Sequence, residues 1–337
     1  MVIAVLAAVV PIPYIAIRPG SATMVGDLVT VTGHPSYPPK ESVAFTTVTA
    51  QDATLLDAVR GWLDGTVQIF PEKAIRGDQS ASENQRYNAE LMDTSKLAAE
   101  TVALERLGYP VTIVTSGTVV RDISKGSPAA KALKIDDVIV GVDGQKLDRI
   151  DQLRTLLQVG GPGKAHELTV ERPAGSATHV QVPITTIAAP IAGQPDRAVI
   201  GIVPEERIVD VKLPFDISID SGSVGGPSAG LAFTLAILDV LTPGELTGGH
   251  KIAVTGTMDL DGNVGPVGGA VQKAVAVRKA GYVAFLVPKD EYADVEATVG
   301  HDLKVIAVGT IQDALDALKS LGGDVAPLGP PGAAHAP

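Results

Sequence analysis

The spacing of apolar and polar positions changes period several times along this chain, and each change predicts an element. Residues Met1 to Ile17 are apolar without a charge, interrupted by Pro11 and Pro13. The run approaches the ~20 residues that a membrane-crossing helix needs, so a transmembrane segment is expected over 1–17. Leu28 to Thr32 and Val43 to Val48 are rich in β-branched residues, with Pro35, Pro38 and Pro39 between them. Two strands and a loop follow from that pattern. Thr54 to Leu63 places Leu55, Ala58, Val59 and Trp62 on one helical face. Arg76 to Arg86 is polar and reads as a mobile loop.

A helix over Leu97 to Leu107 stops at Gly108. Strand-like runs follow at Val111 to Val114, Val119 to Ile123, Asp137 to Gly144, Glu167 to Glu171 and His179 to Pro183, with a helix over Ile150 to Gln158 among them. Leu231 to Leu238 is apolar but for Thr234, as a buried helix would be. Another helix sets Lys273 among Ala270, Val271, Ala274, Val275, Ala276 and Val277, ahead of the strand Val283 to Pro288. Beyond Leu321 the chain turns to Gly, Pro and Ala, and residues 322–337 are expected to be a disordered tail.

The chain has 337 residues, enough for two domains, and 45% apolar residues, enough for real cores. Its formal charge is 27 − 38 = −11. An acidic chain without basic runs and with few aromatics argues against nucleic-acid binding. Cysteine is absent, which excludes a thiol nucleophile, disulfides and thiolate metal sites. No Gly-x-x-x-x-Gly-Lys-Ser/Thr occurs, and Gly160 to Ala165 reads as a turn, so no ATPase motif is expected. Histidines do not cluster, which leaves zinc without support. Asp259 to Asn263 has its glycine at the fourth position rather than the sixth of a calcium loop and reads as a hairpin turn. Neither a metal nor a cofactor is predicted.

Chemistry concentrates at Gly225-Gly226-Pro227-Ser228-Ala229-Gly230 and at Gly268-Gly269-Ala270-Val271-Gln272-Lys273. Pro227 suits a first helical position, which would put the Ser228 hydroxyl beside unpaired N–H groups and the positive end of a helix dipole. An ammonium among apolar neighbours loses hydration, so the Lys273 pKa should fall until a neutral amine can take the serine proton. Backbone N–H groups near Gly226 to Ala229 are candidates for an oxyanion site. The same serine segment fits Gly-x-Ser-x-Gly, the elbow of α/β-hydrolases. That reading needs an acid and then a histidine downstream, and His250, His301 and His335 offer only His301 after Asp259 or Asp261. Ser228 alone could be a helix cap, and Lys279 reads as an exposed lysine of a last helical turn.

These residues resemble the proteolytic domain of Lon proteases, Ser-Lys dyad peptidases. The resemblance rests on the Gly-Pro-Ser-Ala-Gly segment, Thr255-Gly256, the turn Asp261 to Val267, the Gly-Gly-x-x-x-Lys at Gly268 to Lys273, and Ala280-Gly281 before the strand. It covers about 196–320 and is closest to the membrane-anchored, PDZ-containing Lon-like proteases of bacteria. By resemblance, Ser228 is the nucleophile, Lys273 the general base, and Thr255 holds the amine through its hydroxyl. Many ATP-dependent Lon enzymes carry an aspartate where this chain has Gly225; the PDZ-containing relatives share the glycine. The strand order and the Ser127-Pro128-Ala129 and Asp136 to Gly144 segments resemble a PDZ domain, which takes an extended peptide as an added strand. A Gly-Leu-Gly-Phe-like loop is not evident.

The resemblance implies an α+β architecture: a Lon proteolytic domain with an inserted PDZ-like domain and an N-terminal transmembrane segment. The expected divisions are an anchor at 1–17, the first part of the Lon-like domain at 18–95, the PDZ domain at 96–188, the catalytic part at 195–321 and the tail. It further implies an ATP-independent serine endopeptidase acting on protein or peptide substrates. The enzyme would be a homo-oligomer, a hexamer, in the cell membrane, single-pass, with the catalytic part outside the cytoplasm. The competing class is an inert PDZ scaffold that binds membrane or secreted proteins without turnover.

Overall fold

From Pro11 onward the apolar run at the start of the chain is a strand. The structure, a computed structural model, describes residues 11–63, 66–77, 79–176, 178–189 and 196–328. In it Pro11–Met24 pairs antiparallel with Ala44–Thr54 and with Gln68–Pro71. Prolines 11 and 13 lack the N–H that a helix interior needs, and Ile15, Ala16 and Ile17 are buried in the sheet. The expected membrane helix is thereby corrected over 11–17, while residues 1–10 lie outside the described residues. Among the described residues no helix is long and apolar enough to cross a membrane.

The chain divides into two compact units, one from 1–111 and 213–337, the other from 112–212. The PDZ boundaries expected at 96 and 188 are corrected accordingly. The helix expected to open that domain is Ala81–Arg106, and it buries Ala99, Val102, Ala103 and Leu104 in the core of the first unit. At the other end, Ile202–Lys212 pairs along Thr112–Ile123 and so belongs to the second unit. The polar stretch 76–86 is likewise no simple loop. Ser80 accepts from Glu83 N while Glu83 reaches back to Ser80 N, and this capping box starts the long helix at Ala81.

The first unit is built on a six-stranded mixed sheet in the order Lys304–Val308, Ala284–Pro288, Ile252–Val254, Ala44–Thr54, Pro11–Met24, Gln68–Pro71. The first four strands run parallel and the last two antiparallel to their neighbours. Gly230–Leu241 is buried at every residue. Such a helix is stable only inside a core, and here Phe233, Leu235 and Leu238 pack with Phe45, Leu104 and Leu286. The region expected as a disordered tail stays ordered to its seventh residue. Leu328 is buried, and Arg106 Nη1 donates to its carbonyl at 3.2 Å. Residues 329–337 lie outside the described residues.

The second unit has a sheet ordered Ile202–Lys212, Thr112–Ile123, Val138–Val142, Ala165–Glu171, His179–Thr185. Alternate residues of Ala165–Glu171 are buried, and Leu168 and Val170 meet Ile139, Val142, Leu153 and Leu157 in its own core. That is the period-2 pattern of a sheet with one covered face. Arg172 Nε donates to the buried Asp137 carboxylate at 2.7 Å, which compensates a charge removed from water.

Candidate active site

Ser228 lies in a turn ahead of its helix. The helix is Gly230–Leu241 with Ala229 at its N-cap, so the expectation that Ser228 sits in the first helical turn is corrected by two residues. Pro227 O accepts from Gly230 N at 3.3 Å and closes the turn. Gly230 tolerates no side chain: a Cβ would lie 2.8 Å from Met258 N and 2.9 Å from Ser95 Oγ. The serine is half-buried.

Lys273 comes from Ala270–Lys279. Gly269, at φ 67°, caps that helix in the left-handed region, and a Cβ there would meet Val48 Cγ1 at 2.8 Å. The glycine lets the helix start directly against the two N-terminal strands, with Ile17 also at its foot. Lys273 is 2% exposed. Burial pulls its amine from 10.5 down to about 7, with the Glu291 carboxylate pulling upward against it.

Thr255 follows the strand Ile252–Val254 and is fully buried. The structure brings all three predicted residues together. Lys273 Nζ donates to Ser228 Oγ at 2.7 Å and to Thr255 Oγ1 at 3.0 Å. Thr255 Oγ1 in turn donates to Ser228 O at 3.3 Å, and Gly256 N donates to the same carbonyl at 3.1 Å. Among the described residues the Ser228 hydroxyl is paired with this lysine and with no histidine. Lys279 is exposed in the last turn of the helix.

The oxyanion expectation needs one correction. Gly226 N donates to Asn88 O at 2.7 Å and is therefore occupied. Asn88 also lies close to Gly225, where a Cβ would stand 3.1 Å from Asn88 Cβ. Nothing in the sequence pattern linked residues 88 and 95 to the serine; both lie in the long helix Ala81–Arg106, ahead of the boundary expected at 96.

The Asp259 carboxylate is consumed by its own turn. It accepts from Asp261 N at 3.0 Å, Asn263 N at 2.8 Å and Asn263 Nδ2 at 2.9 Å. Among the described residues no group of three or more His, Asp or Glu is placed to hold a metal.

Residues 209–320 match the Lon protease (S16) C-terminal proteolytic domain, and residues 119–172 match a PDZ domain. The chain carries both domains. The Lon-type match falls in the first unit but for its first four residues, and the PDZ match lies wholly in the second. Lon protease of Campylobacter concisus is 43% identical over 94 residues, 27% of this chain and 11% of the relative. Lon protease 1 of Sorangium cellulosum is 26% identical over 218 residues, 57% of this chain and 26% of the relative. The matches therefore span about a tenth to a quarter of these relatives' length. Among solved structures, the PDZ domain of the SdrC-like protein from Listeria monocytogenes is 19% identical, with a TM-score of 0.24, over 28% of this chain and 92% of that one.

The PDZ unit has a groove of about 740 Å³ between Ile150–Gln158 and the run Val199-Ile200-Gly201-Ile202. Leu153, Leu157, Val199, Ile200 and Ile202 line it, and Gly201, at φ 83°, makes the bend. A Gly-Leu-Gly-Phe-like loop was not evident in the sequence, and the glycine-containing run that lines this groove comes directly before the unit's last strand, Ile202–Lys212. The readable signal was an apolar run with a central glycine directly before a strand.

Proposed function

We propose that the chain is a serine-type endopeptidase that cleaves protein substrates through an acyl-enzyme on Ser228, with Lys273 as general base and without a nucleotide. The observation that carries this reading is the 2.7 Å pairing of a half-buried serine hydroxyl with a buried amine. A neutral amine accepts the Ser228 proton as Oγ attacks the scissile carbonyl. The protonated lysine then gives that proton to the departing amine. Water, deprotonated by the same lysine, cleaves the ester and restores the enzyme. Thr255 keeps the amine on Ser228 in both halves of the cycle. The pKa near 7 leaves a large neutral fraction at neutral pH, which supports a lysine in this role. The PDZ unit would hold an extended stretch of substrate along its groove, leaving a neighbouring segment for cleavage.

A ring of identical subunits, a hexamer, and an extracytoplasmic place at the cell membrane complete the proposal. Both are supported by the resemblance; native mass measurement and membrane fractionation of the full chain test them. The catalytic reading is tested by turnover of an unfolded protein without nucleotide, beside Ser228→Ala. Cleavage by the wild type alone is expected. Peptide binding by a folded wild type that never cleaves would replace the peptidase with the scaffold reading.

A further inference from the structure

The two peptide groups flanking Ser228 have their carbonyls tied down. Ser228 O is held by Thr255 Oγ1 and Gly256 N. Pro227 O is held by Gly230 N and, at 3.0 Å, by Ser95 Oγ. A trans peptide is planar, with its N–H pointing opposite to its C=O. Ser228 N–H therefore points away from Ser95, and Ala229 N–H away from Thr255. Among the described residues neither N–H has a hydrogen-bond acceptor. Gly226 N is taken by Asn88, and Pro227 has no N–H to offer. Two adjacent free donors remain at the nucleophile, where an oxyanion would develop.

Ser95 holds one of them from a distant part of the chain. It is 4% exposed, on the long helix Ala81–Arg106, and lies outside the 209–320 stretch matched to the Lon-type family. Its hydroxyl bypasses the nearby helix carbonyls for a carbonyl 132 residues away in sequence. The same helix fixes Gly226 through the Asn88 carbonyl one to two turns earlier. Helix and turn are tight against each other, since a Cβ on Gly230 would already meet Ser95 Oγ at 2.9 Å.

We propose that Ser95 is a positioning residue for transition-state stabilisation: by holding the Pro227 carbonyl it aims the Ser228 amide at the oxyanion of the tetrahedral intermediate. This rests on the peptidase reading above. Donors aimed at the oxyanion act mainly on kcat, because the ground-state carbonyl oxygen lies elsewhere.

The test compares full-length wild type, Ser95→Ala and Ser95→Cys, which keeps a weak donor on a slightly larger side chain. The measurements are kcat, KM, the pH dependence of kcat, and inhibition by a peptide aldehyde whose adduct with Ser228 carries the oxyanion. Ser95→Ala is expected to lose roughly 10- to 100-fold in kcat with KM nearly unchanged. Aldehyde affinity should fall by a similar factor, and the acid limb of the pH profile, which reports Lys273, should stay in place. Ser95→Cys should fall between the two, and it carries the test if the alanine variant does not fold. Unchanged kcat in folded variants would overturn the proposal while leaving the peptidase reading intact. So would a loss of kcat with unchanged aldehyde affinity. A wild type without turnover overturns both.

Discussion

Thr255 Oγ1 reaches two parts of the catalytic arrangement at once, accepting from Lys273 Nζ at 3.0 Å and donating to the Ser228 carbonyl at 3.3 Å. One hydroxyl thus couples the orientation of the Lys273 amine, the proposed base, to the backbone of Ser228, the proposed nucleophile. Thr255→Val keeps the shape and removes both bonds. We expect kcat to fall by roughly 10- to 100-fold, in line with losses on displacing an acid–base group. The Ser228 carbonyl keeps Gly256 N, so the thermal midpoint should drop only slightly. A valine variant with wild-type kcat would remove Thr255 from the mechanism.

The pH dependence follows from the amine. Burial lowers Lys273 to about 7, and the neutral form is the one that the proposed mechanism needs as base. Activity should therefore rise as pH passes through about 7 and level off above it. Glu291 raises the lysine, so Glu291→Gln should carry the acid limb to lower pH. Steady-state rates across the pH range check both statements, and a flat wild-type profile would contradict a titrating lysine base.

Lys273→Met should abolish acylation while leaving the fold intact. Its side chain is unbranched and fits among Ala270, Ala274 and Val277, and losing a buried amine removes a desolvation cost. Mass spectrometry of the enzyme with a serine-reactive peptide probe, together with a melting curve, checks this. Full labelling of a folded Lys273→Met protein would disprove the dyad.

Gly230→Ala should damage both activity and stability. The added methyl would stand 2.8 Å from Met258 N and 2.9 Å from Met258 Cβ, inside the turn that carries Ser228. Overpacking of this kind costs about 1–3 kcal/mol. Denaturant midpoints and kcat measured on the same preparation should fall together.

Asp239 is 2% exposed, and burial pushes its carboxyl up to about 7, aided by Glu245 and opposed by the bond from Leu246 N. A carboxyl raised in the folded state favours folding while protonated. Its contribution is fully present below the unfolded value near 3.8 and is lost as pH rises toward about 7. Asp239→Asn should flatten the stability profile across that window and exceed the wild type at pH 8, by on the order of a few kcal/mol at most. Glu100, also raised to about 7 by burial, acts in the same direction, so some slope should persist in the variant. Melting curves at pH 5 and pH 8 decide the sign.

The sequence by itself pointed to the candidate chemistry and determined most of the elements. Ser228 and Lys273 were readable because each stands in a glycine-rich or apolar setting whose local geometry is nearly dictated by residue type, whereas Thr255 came only with the resemblance. The fully buried helix Gly230–Leu241 was legible for the same reason, having no polar face to offer water. Tertiary structure alone decided where neighbours distant in sequence would fall. An apolar run with two prolines reads much the same whether lipid or a sheet covers it. Only the partners Ala44–Thr54 and Gln68–Pro71 made residues 11–17 a strand. The helix Ala81–Arg106 gave no hint that Asn88 and Ser95 would reach the serine turn, because a hydrogen bond spanning 132 residues leaves no periodic trace in the chain. Local physics named the candidate reacting groups, and packing chose the peptide planes around them.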